Sequence, residues 1–249
     1  MSQKRIKAGD IFQINEGGSV TVIECLSALE VIIQHNDDRE HKAVVRSYNL
    51  RLGKVKNPYR KAVCGVGFVG VGDHKVRDGN KDSPAYRSWS RILQRAYTED
   101  YHKRCPTYAG VTVCLEWQNF QSFAGWWSKE PNSGRKGFHL DKDLRSAGNT
   151  EYSPDACSFL PGQVNTLLGS SGALRGTLPQ GVTSRGKRFH ARICVNCKTK
   201  SLGIYSTPDQ AYQVYRAAKE HAVWSAAEKW KTSLHPEVYA YLSVWRLAQ

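Results

Sequence analysis

From Arg188 to Ile193 the chain alternates without a break, Arg188, His190 and Arg192 on one parity and Phe189, Ala191 and Ile193 on the other. A period of two belongs to an extended strand, whose successive side chains point to opposite faces. One face of this strand is therefore cationic and the other apolar. Gly181-Val182-Thr183 before it and Ser201-Leu202-Gly203-Ile204-Tyr205 after it read as two further short strands. The period then changes. A helix is expected from Pro208, with Thr207 and Gln210 at capping-box spacing and Ala211, Val214-Tyr215, Ala218 and Ala222 on one stripe. Such a stripe is what the apolar face of the sheet needs as cover, leaving the basic face outward.

That basic face belongs to a strongly cationic chain. Lys and Arg number 36 against 22 Asp and Glu, a formal charge of +14 over 249 residues. An excess of this size points to a polyanion, with double-stranded DNA first, because each neutralised phosphate releases counterions. A membrane partner is disfavoured, since the basic residues are spread out and no apolar run is long enough to cross a bilayer. Met1 to Arg5 lead into charged residues with no apolar core of a signal peptide, so a cytoplasmic protein is expected. Seven cysteines, an odd number, then read as free thiols. Cys194 and Cys197 have CxxC spacing with no second close Cys or His pair. A hairpin turn is the better reading there, and zinc is not expected.

The residues that could carry chemistry lie between Phe138 and Asn165. His139, Asp141 and Asp143 alternate with Leu140 and Lys142, so in a strand the three share a face. Two carboxylates beside an imidazole suit a divalent cation and a base that activates water. The competing reading is that Asp and His at a strand end only cap a turn or pair with nearby Lys and Arg.

The remaining segments divide the chain. Over residues 1–62, Ile11, Val20 to Ile23, Glu30 to Ile33 and Ala43 to Val45 read as short strands of a small antiparallel β-barrel. Residues 63–82, with the run Gly65 to Gly72, read as a strand or extended linker. Ser83-Pro84 opens a helix with Tyr86, Trp89, Ile92-Leu93 and Ala96 on one face. Arg87, Arg91 and Arg95 recur every four residues beside that face, as a solvated edge or a rail along a phosphate backbone. Phe120, Phe123 and Trp126-Trp127 predict a second helix packed on the core. Residues 169–176 read as a hinge, and residues 177–249 as the sheet-and-helix domain with a terminal helix from His235-Pro236. The fold class expected is α+β.

Three resemblances follow from these residues. Ser83 to Trp89, Tyr108 to Trp117, and Phe120 to Asn165 resemble, in order and aromatic framework, the HNH homing endonucleases carried by bacteriophages. Residues 83–168 would then be a nuclease core of the ββα-metal type, a hairpin and a helix around one divalent ion with a histidine as general base. Two departures stand out. Leu140-Asp141-Lys142-Asp143 replaces the usual Asp-His, putting the base on Asp141 or Lys142 according to register, and Ala156 stands where the family carries its central Asn. Leu178 to Val182, Phe189 to Ile193, Leu202 to Tyr205 and Asp209 to Lys219 resemble the Apetala-2/ethylene-response-factor domain, whose sheet lies in the DNA major groove. Arg185, Lys187, Arg188, His190, Arg192, Lys198 and Lys200 would then meet DNA. Residues 6–57 resemble, more distantly, a Src-homology-3-like module, which would add DNA contact or dock a host or phage protein.

The resemblances imply a phage-type enzyme, acting in the cytoplasm of an infected bacterial host, that makes metal-dependent single-strand breaks in duplex DNA. One Mg2+ or Mn2+ would sit on Asp141 and Asn165, with Asp155 or Asp143 assisting. His139 or Asp141 would accept the proton of the attacking water, and Lys142 would offset charge on the phosphate. The alternative is a catalytically degenerate relative that binds DNA or a host protein as a regulator or inhibitor.

Overall fold

Four β-branched runs open the chain and become four strands. In the computed structural model, which describes residues 5–144, 148–169 and 177–247, these are β1 (Ile11–Gln13), β2 (Ser19–Cys25), β3 (Glu30–His35) and β4 (Lys42–Arg46), followed by α1 (Ser47–Arg51). Each strand is antiparallel to the next, in the order β1-β2-β3-β4. The inward parity, Val20, Val22, Val31 and Ile33, is buried with Ile6, Ile14, Leu50 and Val55. The strands fall where the sequence predicts, but the expected barrel does not form. Closure requires tilted, staggered strands whose two edges bond to each other. Here β1 is only three residues long and pairs with β2 alone, and Leu50 of α1 covers the core instead.

The glycine-rich run also differs from its reading as strand or linker. Val63 makes an isolated bridge to Gly67, and Phe68 turns inward against Tyr59 with the Arg39 guanidinium 4.8–4.9 Å from both rings. That anchor extends the first compact unit to Asp73, where a boundary near residue 62 was expected.

The second unit runs from His74 onward. A short ribbon, β5 (Arg77–Asp78) and β6 (Lys81–Asp82), precedes α2 (Pro84–Tyr97). The Ser83 hydroxyl caps α2 by accepting the Tyr86 amide at 3.2 Å. Trp89, Ile92, Leu93 and Ala96 are buried along one stripe, and Trp89 Nε1 donates to the Trp117 carbonyl at 2.6 Å. Next come α3 (Glu99–Arg104), β7 (Thr112–Val113) and α4 (Phe120–Lys129), whose Phe120 and Phe123 are fully buried. The chain then forms β8 (Phe138–Asp141), β9 (Glu151–Tyr152), β10 (Ser158–Pro161) and α5 (Gly162–Leu168). β8 and β10 are antiparallel, with Asp141 opposite Ser158 and Phe138 opposite Pro161, and β9 lies parallel to β7. A two-stranded hairpin thus runs directly into a short helix.

The C-terminal part is a three-stranded antiparallel sheet, β11 (Val182–Arg185), β12 (Arg188–Val195) and β13 (Lys198–Tyr205), followed by α6 (Pro208–Trp230) and α7 (Pro236–Val244). Asn196 and Cys197 close the β12–β13 turn, both with positive φ (54° and 59°), as a two-residue hairpin turn of the I′ kind requires. The CxxC spacing is therefore turn geometry, as read. Ala191 and Ile193 are buried, and Ala191 packs against Ala211 of α6. Gly181 admits the closest approach: its φ is +78°, and a Cβ there would fall 2.0 Å from the Tyr215 ring.

The long helix serves two cores. Its first half backs the sheet, whereas Val223, Ala226 and Ala227 join Leu144, Leu160, Val164 and Leu167 of the hairpin–helix region, with Val238 and Leu242 of α7. Apart from Gly169, the expected hinge at 169–176 lies outside the described residues. On either side of it the chain belongs to one compact unit.

Candidate active site and nucleic-acid face

Helix α2 and the β8–β10 hairpin border an open cavity of about 610 Å³. Arg87, Arg91 and Arg95, each one turn from the next, line it from α2. His139, Asp141, Lys142 and Asp143 line it from β8 and the turn that follows, and Asn165 lines it from α5. Eight of the residues picked from sequence therefore meet in one place. Asp155 is not part of that lining and belongs to the connection after β9. Four further contributors, Tyr108, Trp127, Arg135 and Tyr152, were not singled out as site residues by pattern or spacing. Arg135 carries the only hint, its charge; the aromatics read as ordinary core.

Asp141 ends β8. Its Oδ1 accepts the amides of Asp143 at 3.0 Å and Leu144 at 2.8 Å, a side-chain-closed turn of the kind Asp favours. Burial raises its carboxyl pKa above the ordinary value and the neighbouring Asp143 adds to this, while the two amide bonds oppose it. Asp143 lies past the strand, so the expected shared face holds within β8 only for His139 and Asp141. The Lys142 ammonium is buried, paired with Asp143 and bonded to the Asn149 carbonyl. Its charge is engaged within the turn, where the sequence reading had it facing a phosphate.

His139 is exposed on the parity of Asp141. Gly162, the first residue of α5, faces it: a Cβ there would stand 3.3 Å from His139 Cε1, tighter than ordinary contact. The small residue leaves the imidazole room. Arg95 is half-buried, with Nη1 3.5 Å from the Tyr152 hydroxyl and its guanidinium 5.8 Å from the Tyr108 ring. The Tyr152 hydroxyl is itself pushed above the usual phenol range by burial, so it stays protonated as a neutral neighbour. Burial likewise raises the Cys157 thiol, which makes it an unreactive core residue.

The donor set fits a hard cation in one respect. A buried carboxylate with a raised pKa gains from a nearby positive charge, and magnesium takes one or two carboxylates while keeping water and phosphate oxygens in its shell. It is not a closed cage. Among the described residues, no three His, Cys, Asp or Glu side chains converge as a metal-binding group.

On the C-terminal sheet, Arg185, Lys187, Arg188, Arg192, Lys198 and Lys200 are all exposed. His190 is half-buried, its Nε2 2.7 Å from Ser201 Oγ, and Arg192 Nη2 donates to Thr183 Oγ1 at 3.3 Å. The alternation read from sequence holds, with Ala191 and Ile193 toward the helix and Arg188 and Arg192 away from it. A bulge between Ala191 and Arg192 locally shifts the register. No described helix is long and apolar enough to cross a membrane. Comparison with protein-family models, curated protein sequences and solved structures gave no match in any of the three.

Proposed function

We propose that the chain is a metal-dependent endonuclease that nicks double-stranded DNA. The observation that carries this reading is the cavity itself, which Asp141, His139 and Asn165 line together with three arginines one helical turn apart. A row of guanidiniums matches successive phosphates, and the carboxylate beside them has no use in simple anion binding. The chain's charge of +14 and the exposed basic sheet supply affinity for the duplex.

In this reading Arg87 and Arg91 hold the backbone and Arg95 faces the phosphate at the cavity. His139, unhindered by Gly162, accepts the proton of the attacking water. Asp141 and Asn165 would hold a magnesium or manganese ion, which when bound supplies charge neutralisation at the phosphate. Asp143 balances the Lys142 ammonium and keeps the turn closed. One such centre breaks one strand. The test is supercoiled plasmid with a magnesium titration: open circles are expected from the wild type and none from Asp141→Asn. Equal nicking by the variant rejects the assignment.

A second reading is supported by two particular features: Ala156 in place of a polar ligand, and the missing third ionisable ligand among the described residues. It is a DNA-binding or host-protein-binding regulator built on a nuclease scaffold. Tight duplex binding with no nicking in magnesium or manganese would favour it. Docking of a host or phage protein by the N-terminal unit belongs to this second reading.

A further inference from the structure

The C-terminal end of α5 is tied to both parts of the sheet domain. Lys219, in the middle of α6 and only 3% exposed, donates from Nζ to the Gly169 carbonyl at 3.3 Å. Gln180 Nε2, just before β11, donates to the same oxygen at 3.4 Å. The same ammonium lies 5.9 Å from the Tyr215 ring centroid, so Lys219 joins the end of α5 to the middle of α6.

Further contacts continue the tie. Leu160, Val164 and Leu167 pack against Val223, Ala226 and Ala227. At the start of β8, the Phe138 ring meets Trp230 edge-on at 5.5 Å, with the Arg135 guanidinium 4.6 Å over Phe138. Phe138 and Arg135 also line the cavity. At the other end of the same helix, Ala211 supports the basic sheet. A close-packed interface of this kind shifts between discrete arrangements and does not deform continuously.

We propose that α6, locked through Lys219, is a fixed spacer between the sheet that grips DNA and the cavity that cuts it. The position of the break is then set by where the sheet sits on the duplex and not by the sequence at the break. This rests on the nuclease reading above. Ala211 and Ala226 lie about 22 Å apart along a helix rising ~1.5 Å per residue. Lys219 is a positioning residue in this scheme, remote from the reacting atoms.

Two measurements test it. The first needs no catalysis: nitroxide labels on unnatural side chains at Thr199 and Gln94, read by pulsed dipolar resonance in the full chain. One narrow distance is expected in the wild type and a broader distribution in Lys219→Met; a broad or two-peaked wild-type distribution overturns the proposal. The second uses a duplex isolated by binding from a random pool, cut in magnesium and mapped at nucleotide resolution. Inserting three base pairs between the protected sequence and the break should leave the offset unchanged. A break that moves with its own sequence overturns the proposal. Lys219→Met should spread breaks over neighbouring phosphates while duplex affinity changes less than about twofold. If that variant does not fold, both wild-type measurements still decide. A wild type that keeps the single distance but cuts nothing supports the rigid coupling and removes the nuclease reading instead.

Discussion

The Leu144 amide donates to Asp141 Oδ1 at 2.8 Å, so a carboxylate that lines the cavity also closes the turn that ends β8. Structural and chemical roles fall on one side chain, and the choice of substitution separates them. Asp141→Asn keeps the acceptor oxygen. Asp141→Ala removes it, and should cost about 1 kcal/mol more stability by denaturant unfolding.

The charge of Asp141 gives a pH-dependent prediction. Its folded pKa is raised by burial and by Asp143. A raised carboxyl stabilises the fold fully below its unfolded value, and that contribution is lost as pH rises through the folded value. At neutral pH the ionised group is therefore a liability. Asp141→Asn should melt higher than the wild type at pH 7, with the gain shrinking as pH falls into the carboxylate range. Magnesium should raise the Tm of the wild type and leave the Asn variant unmoved. A lower Tm for the variant at pH 7 would contradict this account.

His35 gives the opposite sign in the first unit. It is 1% exposed, its Nε2 has no hydrogen-bond partner among the described residues, and burial lowers its pKa below the ordinary imidazole value, with Asp37 opposing and the stacked His41 reinforcing. A depressed pKa contributes stability above the unfolded value, near 6.5 for histidine. That contribution is lost as pH falls through the folded value. Amide exchange of β2 and β3, corrected for intrinsic rates, should show easier opening at pH 5 than at pH 7. His35→Phe should flatten the difference.

The basic sheet is tested by salt. Arg188→Glu with Arg192→Glu should weaken duplex binding by about 2–4 kcal/mol in total and flatten the plot of log affinity against log salt by roughly two units. Fluorescence anisotropy between about 50 and 200 mM salt measures both. An unchanged slope would mean that this face does not meet phosphates.

Gly181→Ala should be severe. The residue has φ +78°, and its new methyl would lie 2.0 Å from the Tyr215 ring, which sits on the helix behind the sheet. A loss of at least about 2 kcal/mol is expected in chemical denaturation, with parallel loss of duplex binding. A near-neutral effect would show that the sheet and α6 can separate without cost.

Local features were legible from residues alone because local interactions produce them. The strands of the first unit, the Ser83 and Thr207 caps, the alternation of β12 and the turn at Asn196-Cys197 all depend on side chains within a few positions of one another. The helical spacing of Arg87, Arg91 and Arg95 was equally plain. The open sheet was not, because closure depends on whether two distant edges meet. Nor was the inward turn of Phe68, which needs Tyr59 and Arg39 to receive it.

By itself the sequence determined the charge, the periods and which residue types could do chemistry. Only the tertiary structure decided that the arginines of α2 face the end of β8, that Lys142 turns to Asp143, and that Lys219 reaches Gly169 from fifty positions away. Periodicity is a property of neighbours along the chain. The partners of a buried charge are chosen by three-dimensional exclusion of water, and no short window of sequence contains that information.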